Sequence, residues 1–319
     1  MRRFLAPILA SALLLTACSG GGSTPEETAG GATVDTKFGA VEVPADPQRV
    51  VALGWGDAET ALALGVQPVG ASDWVEFGGS GVGPWAADLY TTPPEIIATM
   101  EPDYEAIAAL DPDVILDVKS SGEQERYDRL SEIAPTVGPP EGGDNYLTSM
   151  DEQVTMISEA LGKEDEGKKQ LEDLEAQFAA AREANPEYEG KTVTVAAKTS
   201  EGWGAYVKGT ERVQFMENLG FEQSPKIDAL KAEGFSAPVS EEKLDELDAD
   251  LLIAFPIYVA DTEITDDPGF QRIPAVADGR SVVLTEKDDD LRKAFSLNSV
   301  LSARYAVEKM PELIAPAVR

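Results

Sequence analysis

The residues best suited to chemistry in this chain are aromatics and cations that follow short apolar runs. They are Trp55, Trp74, Trp85, Tyr90, Lys119 and Arg126 in the first half, and Trp203, Tyr206, Arg212, Tyr258 and Arg292 in the second. The chemistry such residues offer is recognition: rings present apolar faces and stack, while guanidinium groups donate hydrogen bonds or lie on rings. Bond-breaking machinery is missing. The 319-residue chain has no histidine, which excludes Ser-His-Asp and Cys-His nucleophiles and imidazole-held zinc or haem. No Gly-x-Ser-x-Gly, Walker or dinucleotide fingerprint occurs. With 58 Asp and Glu residues, paired carboxylates carry no information by spacing alone. A binder is expected rather than an enzyme.

The elements that must position these residues are strands with loops at their ends. Arg49-Val50-Val51-Ala52-Leu53 reads as a buried strand, followed by Gly54-Trp55-Gly56-Asp57, a helix from Ala58 to Leu64 and a Gly65 cap. Val66 to Ser72 is the next strand, and the order strand, helix, strand implies parallel pairing through a right-handed crossover. The stretch Asp73 to Pro94 carries Trp74, Phe77, Trp85 and Tyr90 among glycines. Loops this long are functional or disordered, and the aromatics argue against disorder. Its run Gly78-Gly79-Ser80-Gly81-Val82-Gly83 is not followed by a helix or Lys-Ser/Thr, so it reads as a loop and not a phosphate cradle. Val114 to Val118 is a strand, leading through Lys119-Ser120-Ser121-Gly122 to a helix ending at Ile133 and a short strand at Pro135-Thr136-Val137. In the second half, Lys191 to Lys198, Leu251 to Phe255 and Ser281 to Leu284 read as strands. Thr199 to Gly209 reads as a loop bearing Trp203 and Tyr206, with helices over Val213 to Leu219 and Asn298 to Met310. Asp288-Asp289-Asp290 lacks the fixed acceptor pattern of a cation loop and reads as solvated.

Between the halves, Leu171, Leu174, Phe178 and Ala181 recur at helical spacing, with Glu164/Lys168 and Asp165/Lys169 as i,i+4 pairs, and Asn185-Pro186 ends the run. An echo flanks this long helix. Glu105 opens a stretch that passes through Leu110 and Asp111-Pro112-Asp113 into the apolar Val114-Ile115-Leu116; Glu242 opens one that passes through Leu247 and Asp248-Ala249-Asp250 into Leu251-Leu252-Ile253. Each is a short helix feeding a buried strand. The expected organisation is a signal peptide at 1–17, a flexible tether at 18–45, an α/β lobe at 46–162, a connecting helix at 163–186 and a second α/β lobe at 187–319.

Composition agrees with this arrangement. At 43% apolar residues the chain is long enough for two cores. Its 26 Lys and Arg against the acids give a net charge of −32, which disfavours nucleic acid as a partner. Met1-Arg2-Arg3 and the apolar Phe4 to Leu15 form a signal peptide, too short to span a membrane. Cys18 is the only cysteine, so no internal disulfide can form. The Gly-, Ser- and Thr-rich stretch that follows reads as a tether holding the folded part outside the membrane.

Leu15-Thr16-Ala17-Cys18 resembles a bacterial lipobox, which implies lipidation of Cys18. The chain as a whole, over about residues 40 to 318, resembles the substrate-binding lipoproteins of ABC transporters for iron-siderophores, of the ferrichrome and enterobactin type with a helical backbone. The resemblance rests on Pro47 to Leu53 with GWGDAETALALGVQPVG, on PDYEAIAALDPDVILDV, on RYDRLSEIAPTV and, more loosely, on FSLNSVLSARYAVEKM. It implies two Rossmann-like lobes with parallel-type sheets, joined by one long backbone helix and closing only a little on a ligand. It further implies capture of a whole ferric siderophore between the lobes, no protein-borne cofactor or metal, and delivery by a monomer to a permease dimer. Cobalamin or haem carriers of the same fold, and a lipid-anchored hydrolase, are the alternatives. In the family, an acidic residue of each lobe docks on the permease; here the matching positions are Glu105 and Glu242.

Overall fold

The structure, a computed structural model, describes residues 31–318; the expected signal peptide, Cys18 and the start of the tether lie outside them. Residues assigned by composition to the tether are partly folded. Ala32–Thr36 (β1) and Gly39–Val43 (β2) form an antiparallel hairpin in register from Ala32 opposite Val43 to Thr36 opposite Gly39. Val34, Val41 and Val43 are buried in the first lobe's core. Their period-two alternation is a strand signal that the surrounding Gly and Thr obscure.

The first lobe is built on Val50–Ala52 (β3), Gly70–Ser72 (β4), Glu95–Ile97 (β5), Val114–Leu116 (β6) and Thr136–Val137 (β7). Their spatial order is β5-β4-β3-β6-β7, and every pair is parallel. The crossovers contain Asp57–Ala63 (α1), Tyr104–Ala109 (α2) and Gln124–Ser131 (α3). Chain order reverses direction between β3 and β6, so the loops after these two strands splay apart and leave a crevice at their carboxyl ends. β5 was not legible, because Glu95-Ile96-Ile97 follows Pro94 at the end of a loop read as continuous.

Met150–Leu161 (α4) leads into Glu164–Ala184 (α5), the long helix that the 3.6-residue period predicts. Gly167 sets how closely the two approach, since a Cβ there would stand 2.6 Å from Ser158 Cβ. α4 serves both lobes, with Met156, Ile157, Ala160 and Leu161 in the first core and Met150 and Val154 in the second. α5 buries Leu174 and Phe178 against the second lobe. Its surface pairs run Lys168 to Glu172 and Lys169 to Asp173, the latter at 2.8 Å, one turn away from the pairs expected.

The second sheet is mixed, where a parallel one was expected. It comprises Thr192–Thr199 (β8), Gly202–Tyr206 (β9), Glu222–Gln223 (β10), Ser236–Val239 (β11), Leu251–Pro256 (β12) and Ser281–Val283 (β13). β8, β12 and β13 are parallel, as is the short β10 beside the start of β8. β9 turns back antiparallel on the end of β8, and β11 lies antiparallel to β9. The tight turn at Thr199 to Gly202 thus makes a hairpin of what reads as a loop, putting Trp203 and Tyr206 on a strand. Glu211–Asn218 (α6) and the short helices Pro225–Asp228 (α7), Thr262–Thr265 (α8), Pro268–Gln271 (α9) and Pro274–Ala277 (α10) cover this sheet with Asp289–Leu297 (α11) and Val300–Ile314 (α12). The aspartate run, read as a solvated loop, opens α11.

The sequence echo has a structural meaning at its aspartates. Asp113 Oδ2 accepts from the backbone N–H groups of Gln48 and Arg49, both at 2.8 Å, where β3 begins beside β6. Asp250 Oδ2 accepts from Thr192 N at 2.8 Å, where β8 begins beside β12. Each carboxylate, one residue before its strand, fastens the start of the neighbouring parallel strand. The bond from Thr192 N holds the Asp250 carboxyl below the usual range, so its stabilising contribution is present at neutral pH and lost as pH falls through that lowered range. The units differ elsewhere: α2 is a regular helix, whereas Glu241–Leu247 is 3-10 and broken at Lys243. Replacing Asp113 or Asp250 with alanine should each lower stability by about 1 kcal/mol, and by roughly twice that together, because the sites are distant. Urea unfolding midpoints of the single and double variants test this.

Candidate ligand-binding cleft

The crevice of the first lobe is framed by two loops hydrogen-bonded to each other. Trp55 N donates to Lys119 O at 2.8 Å. Gly54 permits the approach, since a Cβ there would lie 2.3 Å from Asp57 Oδ2 and 2.8 Å from Lys119 N. Asp57 is fully buried and accepts from Val118 N at 2.8 Å and Gln153 Nε2 at 2.6 Å. Burial pushes its carboxyl up to about 6 against these bonds. Its contribution to stability is therefore complete below the usual carboxylate range and lost as pH rises through about 6.

Two buried polar contacts join the lobes. Lys119, 1% exposed, pairs with Glu211 at the start of α6, Nζ to Oε1 at 3.0 Å. Glu59 of α1 accepts from Ser299 Oγ, the N-cap of α12, at 2.5 Å and from Trp85 Nε1 at 3.0 Å. Burial raises the Glu59 carboxyl above its ordinary range.

Between the lobes lies a cavity of about 980 Å³ lined by loops of both. Trp55 and Trp74 stack at 3.9 Å between centroids, and Tyr146 stacks on the other face of Trp55 at 3.8 Å. From the second lobe come Trp203, Tyr206, Arg212, Phe235 and Tyr258. Arg212 is 5% exposed and lies over the Tyr206 ring, guanidinium carbon to centroid 4.3 Å. Its Nε is buried without a hydrogen-bond partner, and no carboxylate among the described residues pairs with it. A buried donor left open is expensive unless something else satisfies it.

The structure brings Trp55, Trp74, Trp203, Tyr206, Arg212 and Tyr258 together at this cavity. Arg292 lines an adjoining one that shares Trp74, Arg212 and Tyr258, but its guanidinium is engaged by Asp289 at 2.5 Å and Pro256 O at 2.9 Å. Others lie elsewhere. Lys119 is consumed by the junction pair. Arg126 is held by Asp117 at 2.7 Å and Thr99 O at 3.0 Å, facing a separate depression beside Glu105 and Arg129. Trp85 and Tyr90 pack with Leu62, Val82 and Leu301 behind the cleft. Trp203, 3% exposed, also stacks on Phe270 in the second core, centroids 5.3 Å apart, so it is a packing residue with one edge toward the cavity.

Tyr146 and Phe235 were not anticipated. Each sits in a short polar or glycine-flanked segment with no apolar period. Two residues lining the cavity, Glu76 and Tyr258, adopt φ of 57° and 56°, a left-handed conformation uncommon for such side chains, as does Tyr146 behind Trp55 at 63°. Glu105 and Glu242 are both exposed. Asp103 already caps α2 through Glu105 N and Ala106 N, each at 3.0 Å, so Glu105 is not needed as the cap.

The periplasmic binding protein family matches residues 50–287, covering both sheets and the cleft between them. The chain belongs to this family. Among its relatives is a probable siderophore-binding lipoprotein of Bacillus subtilis, YfiY, 29% identical over 79% of this chain and 78% of that one. A periplasmic solute binding protein from Mycobacterium smegmatis superposes with a TM-score of 0.76 at 27% identity, over 91% of this chain and 99% of the other. Streptococcus pneumoniae PiaA, solved in complex with ferrichrome, gives 0.77 at 27% identity, over 90% and 98%. In this periplasmic binding protein the ion pair at the lobe junction sets the cleft's geometry. Lys119→Met should cost about 3–5 kcal/mol by stranding Glu211, and adding Glu211→Gln should restore most of that. Thermal unfolding of the single and double variants checks it; an equal loss in both would mean that packing, not charge pairing, dominates there.

Proposed function

We propose that this protein captures a ferric siderophore in the inter-lobe cleft and hands it to an ABC importer. The observation that carries this reading is the cavity of about 980 Å³ between the lobes, lined by the stacked Trp55 and Trp74, which Tyr146 backs from the other face of Trp55, and by Arg212, whose Nε has no hydrogen-bond partner. Its size suits a compact chelate, rings supply contact for the chelate's apolar surface, and the guanidinium supplies donors for its oxygens. The chelator fills the iron's coordination sphere, so the protein need offer no metal ligand. The siderophore-binding relative and the ferrichrome-bound neighbour support this choice over cobalamin or haem. Binding involves no catalysis.

In this reading the signal peptide directs export, Cys18 carries the lipid that holds the protein at the outer face of the cytoplasmic membrane, and a monomer docks on a permease dimer. Glu105 and Glu242 make the docking contacts. Both residues are exposed, and α2 is capped by Asp103 without the Glu105 side chain.

One ferric siderophore per chain should quench tryptophan fluorescence saturably, and Trp55→Ala should weaken binding about tenfold or more while also lowering the melting temperature through the loss of its two ring stacks. Clear binding of cobalamin with no response to any ferric chelate would overturn the reading. The double variant Glu105→Arg/Glu242→Arg should keep its siderophore affinity yet abolish uptake by the reconstituted transporter, since opposed charge at a docking rim is strongly unfavourable. Normal uptake by that variant would remove both residues from the docking surface.

A further inference from the structure

We infer that the cleft selects its ferric chelate by charge, taking a neutral tris-hydroxamate iron core that bears a cationic arm and discriminating against polyanionic chelates. This rests on the reading of the cleft as a siderophore site. Among the residues lining the main cavity, Arg212 is the one cation, and it lies at the floor. Glu76 and Glu101 from the first lobe and Glu201 and Glu233 from the second stand at the edge, all exposed, with no ion pair or side-chain hydrogen bond among the described residues. Asp73 also lines the cavity, but its carboxylate is taken up by Phe77 N at 2.9 Å and Gly78 N at 2.8 Å.

The neighbouring cations offset this edge only in part. Arg292 and Lys293 share the one carboxylate of Asp289, at 2.5 Å and 3.2 Å, and Lys293 also donates to the backbone oxygen of Glu76 at 3.0 Å, so the excess positive charge lies beside Glu76 and not beside Glu101, Glu201 or Glu233. Lys198 pairs with Glu241, and Lys119 with Glu211. A ligand in the cleft therefore meets a buried donor at one end and unpaired carboxylates from both walls at the other. Three hydroxamates balance one ferric ion, leaving a neutral core whose ligand oxygens still accept hydrogen bonds. That core suits Arg212 and the aromatic stack, and an ammonium on a side arm suits the edge. A tris-catecholate complex is trianionic and a citrate-type complex is also anionic, so each would bring like charge against Glu76, Glu101, Glu201 and Glu233, which costs affinity.

The test holds the iron core constant and varies only the arm. Ferrioxamine B, a linear tris-hydroxamate with a terminal ammonium, is compared with its neutral N-acetyl and anionic N-succinyl derivatives by tryptophan quenching at low ionic strength. Affinity should fall in that order, by about tenfold from first to last, and the spread should narrow with added salt. In the variant Glu76→Gln/Glu101→Gln/Glu201→Gln/Glu233→Gln, whose substitutions are all on exposed side chains, the ratio of affinities between the ammonium-bearing and the anionic derivative should collapse toward one. Equal affinities, a preference for the anionic derivative, or a spread unchanged in the glutamine variant would overturn the inference. Binding of ferric citrate or a ferric catecholate, with none of the three hydroxamates bound, would overturn charge selection yet leave the siderophore reading standing. Failure of every ferric chelate to bind would overturn both.

Discussion

A lysine and a glutamate withdrawn from water at the junction of the lobes must stay together, because each alone would be an uncompensated buried charge. Lys119 follows the central strand β6 of the first lobe, and Glu211 begins the helix whose next residue is Arg212. The pair therefore ties the crevice of one sheet directly to the floor of the cleft in the other. Trp55 is hydrogen-bonded to the same lysine's carbonyl, which carries the constraint to the aromatic wall. With Glu59 and Ser299 making a second contact behind it, wide separation of the walls would break two buried polar contacts at once. The cleft is preorganised by its junction, and little ordering is left for the ligand to accomplish.

The polarity of the cleft follows from that arrangement. Other cations near the junction or the cleft contact carboxylates, Lys119 that of Glu211, Arg126 that of Asp117, and Arg292 and Lys293 the single one of Asp289, whereas Arg212 stacks on Tyr206 with no ion pair among the described residues. Low local dielectric strengthens whatever hydrogen bonds it makes to a ligand. Of the residues with left-handed backbone, Tyr146 is held by its stack on Trp55.

The parallel lobe was readable because its strands are continuous apolar runs separated by turn signals, and α5 because its period persists over six turns. The hairpin of β1 and β2 was hidden by a composition typical of linkers, and the β8–β9 turn by polar residues that suit a loop equally well. For the cavity, the rule that ligands sit beyond strand ends picked out Trp55, Trp74, Tyr206 and Arg212, which the structure brings together at its lining. It could not separate them from Lys119, Arg126 and Trp85, whose carboxylate partners Glu211, Asp117 and Glu59 lie 92, 9 and 26 residues away along the chain. A cation's availability depends on whether a carboxylate reaches it in three dimensions. No one-dimensional spacing contains that information. Tyr146 and Phe235 are placed by tertiary contacts alone.

The paired aspartates before β6 and β12 bear on how the chain acquires its structure. The bond from Arg49 to Asp113 closes 64 residues, and that from Thr192 to Asp250 closes 58. Loop-closure entropy rises only with the logarithm of length, so the two closures are nearly equal in difficulty. Neither loop contains α5, and each joins the central strands of a single sheet. Each lobe thus holds its own nucleus, and the first can condense before the second has been synthesised. The contact of α12 with α1, which brings Ser299 to Glu59, spans 240 residues and belongs to neither closure.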